Sequence, residues 1–415
     1  MRVPPQPRTV PEPSAKASGR SGRALDWFAF FVADIQTGWG PFVAAYLTAT
    51  AWTQFDIGLI LTIGTLAALV LQIPAGALVD IVPAKRPLAA LGVACISGSA
   101  LLLALWPIFG VVVVAKLLHA TANCLLGPTL AAISLGLVGY RLLSIRLGRN
   151  ARYLSLGNAI AAGVMGGVGY AVSNQAIFLL TAALAIPTLI ALSQIRPDDI
   201  DPDLARGGGR LEHAKPSAWR SVLRNRTFLI FASAILLFQF ANAASLPIMA
   251  GLWATRLPET VTLILSICIF GPQFVVVAIA PLVGLKAQIW GRRPLLVLCF
   301  GALALRCAIF AVTGEPSVVI AAQLLDGVCA ATLGVLVPLV TADVMRGSGH
   351  YNLAQGMVGA AVSIGASFST TMAGFIADGF GSAAAFLALA AIAAAGLVLV
   401  IALMPETRDL NFGRG

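Results

Sequence analysis

Residues 76–88 read Gly76-Ala77-Leu78-Val79-Asp80-Ile81-Val82-Pro83-Ala84-Lys85-Arg86-Pro87-Leu88. One apolar run ends at Asp80, a short turn follows, and a second run begins after two cations. The turn returns at an offset of 207 positions, where Arg292-Arg293-Pro294-Leu295 matches Lys85-Arg86-Pro87-Leu88. At the same offset Ala115-Lys116-Leu117-Leu118-His119 matches Ala322-Gln323-Leu324-Leu325-Asp326, and Gly127 matches Gly334. Leu and Ala matches are cheap in an apolar chain. A shared basic-Arg-Pro turn in register with a shared polar pair is not. Parallel repeats of this kind predict a transporter with its site between two halves.

Outward from the turn, apolar runs fall near 25–48, 55–80, 87–106, 109–137, 152–172, 176–195, 227–253, 259–284, 294–313, 317–342, 353–377 and 382–404. Each approaches the roughly 20 residues that a membrane-spanning helix needs. Of the 415 residues, 59% are hydrophobic and 11% charged, where a soluble domain carries about a quarter charged. The expected fold is therefore an all-α membrane protein of twelve transmembrane helices in two six-helix bundles. The net charge of +10 does not indicate nucleic acid, because the basic residues sit in short clusters without interleaved base-stacking aromatics. The six cysteines lie inside apolar runs and show no CxxC spacing, so neither a metal nor a cofactor is expected.

The expected organisation is a disordered N-terminal tail at 1–24, a first bundle at 25–195 and a solvated linker at 196–226. A second bundle at 227–404 and a short tail at 405–415 complete it. Orientation follows from positive charge. With both termini cytoplasmic, the N-tail, Lys85/Arg86, the Arg141–Arg152 set, the linker, Lys286/Arg292/Arg293, Arg346, Arg408 and Arg414 all lie inside. Only Arg256 falls in an outer connection, while Lys116 and Arg306 fall within spans.

The stretch 76–86 resembles the cytoplasmic G-x-L-x-D-r-x-G-r-[RK] signature of the major facilitator superfamily, with Pro83-Ala84 where the second Gly is expected. The second half holds a degraded copy, Gly291-Arg292-Arg293, with Ala287 matching Asp80. The resemblance spans the whole chain through span count, linker and repeat. It implies that spans one, four, seven and ten line a central cavity and that the halves rock to give alternating access. It also implies a gate at Asp80, Lys85 and Arg86, making charge contacts with neighbouring helix ends when the cytoplasmic side closes, with Arg149 and Arg152 as further partners. Positive-inside topology alone explains the Lys and Arg but not the Asp. Span five carries Gly163, Gly166, Gly167 and Gly169, read as a close helix contact, but lacks the Gly-Pro pair of the family's drug–proton antiporters.

Ionisable residues inside spans are costly and face a cavity or a partner. Asp34 lies about 13 Å into span one at the helical rise per residue. Lys116, His119 and Asn123 on span four are spaced i, i+3, i+7 and share a face. Gln239 and Asn242 on span seven, and Gln323 and Asp326 on span ten, are each i, i+3 pairs. These eight are the candidate substrate- and proton-binding residues, with Asn158 and Gln355 as further cavity candidates. Two readings stand for Asp34 and Lys116: a static ion pair that orients helices, or substrate and proton handling. His119, Gln239, Asn242 and Gln323 equally suit interhelical hydrogen bonding. Arg306 on span nine, which the resemblance makes peripheral, has no assigned role: it either snorkels outward or pairs with a neighbouring carboxylate, Glu315 near the outer end being one candidate.

The functional expectation is secondary active transport of a small organic solute, coupled to protons through Asp34 with His119 or Asp326, by a monomer in the cell (inner) membrane. An uncoupled facilitator is the alternative. An intramembrane enzyme or receptor is a distant third, since there is no HExxH, no Gly-x-Ser-x-Gly elbow, no P-loop and no large extramembrane domain. Charges of both signs admit a zwitterion, an organic acid or a cationic drug.

Overall fold

Inside a bilayer no water satisfies backbone N–H and C=O groups, so each apolar run closes its own hydrogen bonds as a helix. The computed structural model describes residues 19–37, 41–50, 52–208, 218–256 and 260–408, and no strand occurs among them. The first half contains α1 (Gly19–Thr37), α2 (Pro41–Ala49), α3 (Gln54–Ile81), α4 (Lys85–Leu105), α5 (Phe109–Ala171), α6 (Asn174–Ala183) and α7 (Ala185–Ser193). After the short α8 (Ala218–Leu223), the second half contains α9 (Arg226–Asn242), α10 (Ser245–Arg256), α11 (Val261–Ile289), α12 (Arg293–Val312), α13 (Pro316–Val344), α14 (Tyr351–Phe380) and α15 (Ser382–Leu403). Among the described residues ten helical stretches are long and apolar enough to cross a membrane. One of them, α5, has 63 residues and is two spans joined at Gly139, whose φ of 65° and ψ of 176° are non-helical. A positive φ favours glycine because it has no Cβ. With α1 and α2 as the first span, the architecture is twelve spans in two bundles.

Three boundaries differ from expectation. Residues 1–18 and 409–415 lie outside the described residues, but α1 already begins at Gly19, inside the expected tail. The Ser21 hydroxyl donates to Asp199 Oδ2 at 2.6 Å and accepts from Arg196 N at 3.1 Å, which anchors that first turn. The Arg141–Arg152 set lies on helix rather than in a connection. Arg146 is buried there and bonds Asp26 Oδ1 (2.5 Å), Asn150 Oδ1 (2.8 Å) and Gly22 O (2.9 Å). Paired charge of this kind lets a helix carry arginines without exposing them to an apolar surround.

The linker also departs from a solvated tether over residues 196–208. Asp201 N donates to Gly136 O, and its Oδ1 accepts from Asp203 N and Leu204 N. A single turn follows, in which Ala205 and Arg206 are buried. Gly347 N, between α13 and α14, donates to Gly207 O at 2.6 Å. The linker therefore ties the two halves together at the end that carries it.

Each half has its own apolar core, around Phe28, Ile96 and Phe178 in the first and Phe231, Phe300 and Phe386 in the second. The halves meet where α3 crosses α14 and α5 crosses α11. At the first crossing a Cβ on Gly76 would lie 2.2 Å from Asn352 O, and one on Gly356 would lie 2.3 Å from Gln72 O. Only hydrogen at both positions lets these backbones approach. Of the four glycines expected to make a close contact, Gly169 lies against Ile177 of α6, whose Cδ1 would be 2.8 Å from an added Cβ, whereas at Gly163, Gly166 and Gly167 an added Cβ would meet nothing within 4 Å. On that span it is Gly157 that touches α1, at Phe30 O.

Candidate functional site

In the first half the polar residues come from α1 and the first span of α5. Gln36 Nε2 donates to Asn123 Oδ1 at 3.1 Å, and Asn123 Nδ2 lies 2.9 Å from His119 Nε2. The i, i+4 spacing of His119 and Asn123 puts them on one face, and Gln36 extends the chain of bonds to α1. Lys116 lays its stem across Gly64 of α3, so close that a Cβ there would fall 2.5 Å from Cε. Asp34 is 4% exposed. Its Oδ1 is buried without a hydrogen-bond partner, and among the described residues it forms no ion pair with Lys116. The static pair offered as one reading of Asp34 and Lys116 is absent.

The second half collects a different set. Arg306 of α12 ion-pairs with Asp326 of α13 and donates a second hydrogen bond to Asn242 Oδ1 of α9. Its guanidinium also lies over the Phe310 ring, 5.8 Å from the centroid. Arg306 is 2% exposed, whereas the Asp326 side chain is 28% exposed. The charge on Asp326 is therefore compensated from the protein side while one edge stays accessible. Gln323, a turn earlier on α13, is buried with Oε1 unpartnered. Gln239 packs its Cβ against Gly365 of α14. Gln355 sits near the start of α14 and donates to the Tyr351 hydroxyl at 3.1 Å. Asn158 follows the Gly157 contact with α1.

At the linker end, Asp80 closes α3 onto the first turn of α14. Its Oδ1 accepts from Asn352 N (3.0 Å) and Asn352 Nδ2 (2.8 Å), and its Oδ2 accepts from Leu353 N (2.7 Å). Helix N-termini present unpaired N–H groups and positive potential, which a carboxylate satisfies. Asn352 Nδ2 also reaches Ala205 O of the linker at 3.0 Å. Asp80 forms no ion pair with Lys85 or Arg86. The Lys85 ammonium is buried on the carbonyls of Val79 and Val82, closing the end of its own preceding helix. Arg86 donates to Ser193 O. Arg149 pairs with Asp26 rather than with Asp80. In the repeat, Arg292 takes the place of Lys85: it donates to Ala287 O and pairs with Asp343 at 2.9 Å.

The profile of the Major Facilitator Superfamily matches residues 27–269 and 257–411. The chain belongs to the major facilitator superfamily. This MFS chain is 38% identical over 394 residues to uncharacterized MFS-type transporters of Mycobacterium tuberculosis, strains CDC 1551 / Oshkosh and ATCC 25618 / H37Rv, covering 94% of each partner in the alignment. Its fold is similar to that of the MFS transporter FucP in the outward conformation, with a TM-score of 0.68, 16% identity, and 92% of this chain and 99% of that one covered. A point mutant of the nucleoside transporter NupG gives a TM-score of 0.63 at 14% identity, over 93% and 100% of the two chains. The protein is thus an MFS transporter and a multi-pass membrane protein.

Two residues bonded to the candidate residues were not among those candidates in the sequence. Gln36 lies two positions past Asp34 and was hidden by its neutral side chain. Arg306 was visible as a charge within a span, and its partner Asp326 lay one span further on at similar depth. Matching depth between successive antiparallel spans was the signal that would have joined them.

Proposed function

We propose that this MFS transporter moves a small organic solute by alternating access, coupled to protons, with Asp34 as the group that takes up and releases the proton. The observation that carries the reading is the Asp34 carboxyl, buried with Oδ1 unpartnered. A buried carboxylate without counter-ion or hydrogen bonds is destabilised by several kcal/mol and relieves this by binding a proton or a cation. Asp326 differs because Arg306 already compensates it, which assigns it to the solute rather than to the proton. Lys116, His119 and Asn123, with Gln36, supply the polar face of the first half. Asn242, Gln323 and Asp326, with Gln239, supply that of the second.

In this reading the protein works as a monomer in the cell membrane with both termini cytoplasmic, so the closed linker end is the cytoplasmic gate. The contact of Asp80 with the first turn of α14, the linker turn and the α3/α14 and α5/α11 crossings support that gate. They part together when the opposite state forms. Reconstituted protein tests the coupling: an imposed pH gradient accumulates solute in the wild type, whereas Asp34→Asn retains exchange but not accumulation. Transport indifferent to the gradient in both proteins selects an uncoupled facilitator.

A further inference from the structure

A groove of about 380 Å³ runs along the molecule between α3, α9 and α14 and ends at α8. Its walls include Ile73 of the first half and Leu223, Leu229, Leu236, Met357 and Ile364 of the second, and no polar side chain lines it. Ile73, Leu223 and Leu229 are 37–41% exposed, so the groove opens to the outside of the bundle, where a membrane protein meets acyl chains. Solute sites carry a few polar groups that fix orientation, and this groove has none. Its linker end differs. Arg224 follows the lining residue Leu223, and Arg226 stands two positions before the lining residue Phe228. Both side chains are exposed, and neither forms an ion pair among the described residues.

An apolar slot at bilayer depth that ends beside two exposed arginines matches one molecule: a lipid with an anionic headgroup. We infer that this groove is a binding site for an anionic phospholipid of the surrounding bilayer, one acyl chain along Ile73, Leu236 and Met357 and the headgroup at Arg224 and Arg226. Because the walls come from both halves, the chain touches both only while α3 and α14 stay crossed. A ligand shifts a two-state equilibrium by its differential affinity for the states. Anionic lipid therefore favours the linker-closed form.

The test uses the full chain in nanodiscs of phosphatidylcholine with or without phosphatidylglycerol, followed by native mass spectrometry of retained lipid. A basic residue near an anionic membrane surface contributes about 1 kcal/mol. The exposed double substitution Arg224→Gln/Arg226→Gln is therefore expected to weaken phosphatidylglycerol retention about 30-fold and leave phosphatidylcholine unchanged. Ala361→Phe, which fills the groove, should remove the tightly held lipid altogether while thermal unfolding shows that the protein remains folded. Equal retention of both lipids by the wild type would overturn the site. Retention of phosphatidylglycerol insensitive to Ala361→Phe would also overturn it, by showing attraction to the surface alone, as would a dimer mass lost in that variant, which would put a second copy in the groove.

Discussion

Asp80 at the end of α3 receives both the backbone and the side-chain N–H of Asn352 at the start of α14, across a separation of 272 residues. One carboxylate thus joins the two halves of the molecule and, through Asn352 Nδ2, the linker carbonyl of Ala205. Nearby, Lys85 and Arg86 are engaged within their own half, so the strength of this contact rests on the helix N-terminus rather than on an ion pair.

Removal of that charge should open the linker end. Hydrogen bonds to charged groups contribute about 1.5–3 kcal/mol each, so Asp80→Asn is expected to shift the closed-to-open ratio about 30-fold, equivalent to about 2 kcal/mol. Spin labels at the exposed positions Leu142 and Ile289, on α5 and α11, report the change. A new long-distance population is the expected result, and an unchanged distribution would remove Asp80 from the gate.

Glycine-to-alanine changes should separate gate from site. A Cβ at Gly76 meets the backbone oxygen of Asn352, so α3 and α14 must part, and Gly76→Ala should mimic Asp80→Asn in the label distances. A Cβ at Gly64 meets only the flexible stem of Lys116. Gly64→Ala should leave the distances unchanged, destabilise by no more than about 1–3 kcal/mol and reduce transport several-fold. Equal transport rates in Gly64→Ala and wild type would show that the position of Lys116 is irrelevant to the solute.

The Arg306–Asp326 pair predicts strong coupling between two substitutions. Removal of one partner leaves a bare charge, at a cost of about 3–5 kcal/mol where that charge is fully buried, as for Arg306, and less for the partly exposed Asp326. Arg306→Met and Asp326→Leu should each lower the midpoint of thermal unfolding in detergent sharply, and the double variant should recover most of it. Transport should be absent in the double variant, since the accessible carboxylate edge proposed to meet the solute is gone with Asp326. If transport returned with stability, the pair would be purely structural.

The linker turn is open to a similar test. Asp201 Oδ1 holds Asp203 N and Leu204 N, and loss of such a cap costs about 1 kcal/mol. Asp201→Ala should raise amide hydrogen exchange at 203–207 and at Gly347 together. Exchange confined to 203–204 would show that the linker does not latch the halves.

Much of this architecture is legible in the chain because bilayer physics writes it there. The twelve apolar runs, the positive charge at alternate turns and the offset between Lys85 and Arg292 follow from segment-by-segment requirements. Depth and helical face likewise bring His119 to Asn123 and mark Asp326. Less legible is what depends on packing between distant helices. Arg149 turned to Asp26 because the second span of α5 starts right after Gly139, bringing its arginines beside α1. Glycines at close backbone contacts, among them Gly76, Gly356, Gly157, Gly148 and Gly284, are set by where backbones cross, whereas three of the four in the denser cluster at Gly163–Gly169 have open space around them. Residues 196–208 are polar in composition, yet the carbonyls of Ala205 and Gly207 accept from Asn352 Nδ2 and Gly347 N of the second half.

Gradient-driven uptake decides whether Asp34 carries the coupling proton. Proteoliposomes of wild type and Asp34→Asn are offered amino acids, sugars, nucleosides, organic acids and cationic drugs, with and without a pH gradient. The expected result is a solute that the wild type accumulates only with the gradient and that Asp34→Asn exchanges but never accumulates. Accumulation by Asp34→Asn at the wild-type level would exclude Asp34 as the proton carrier.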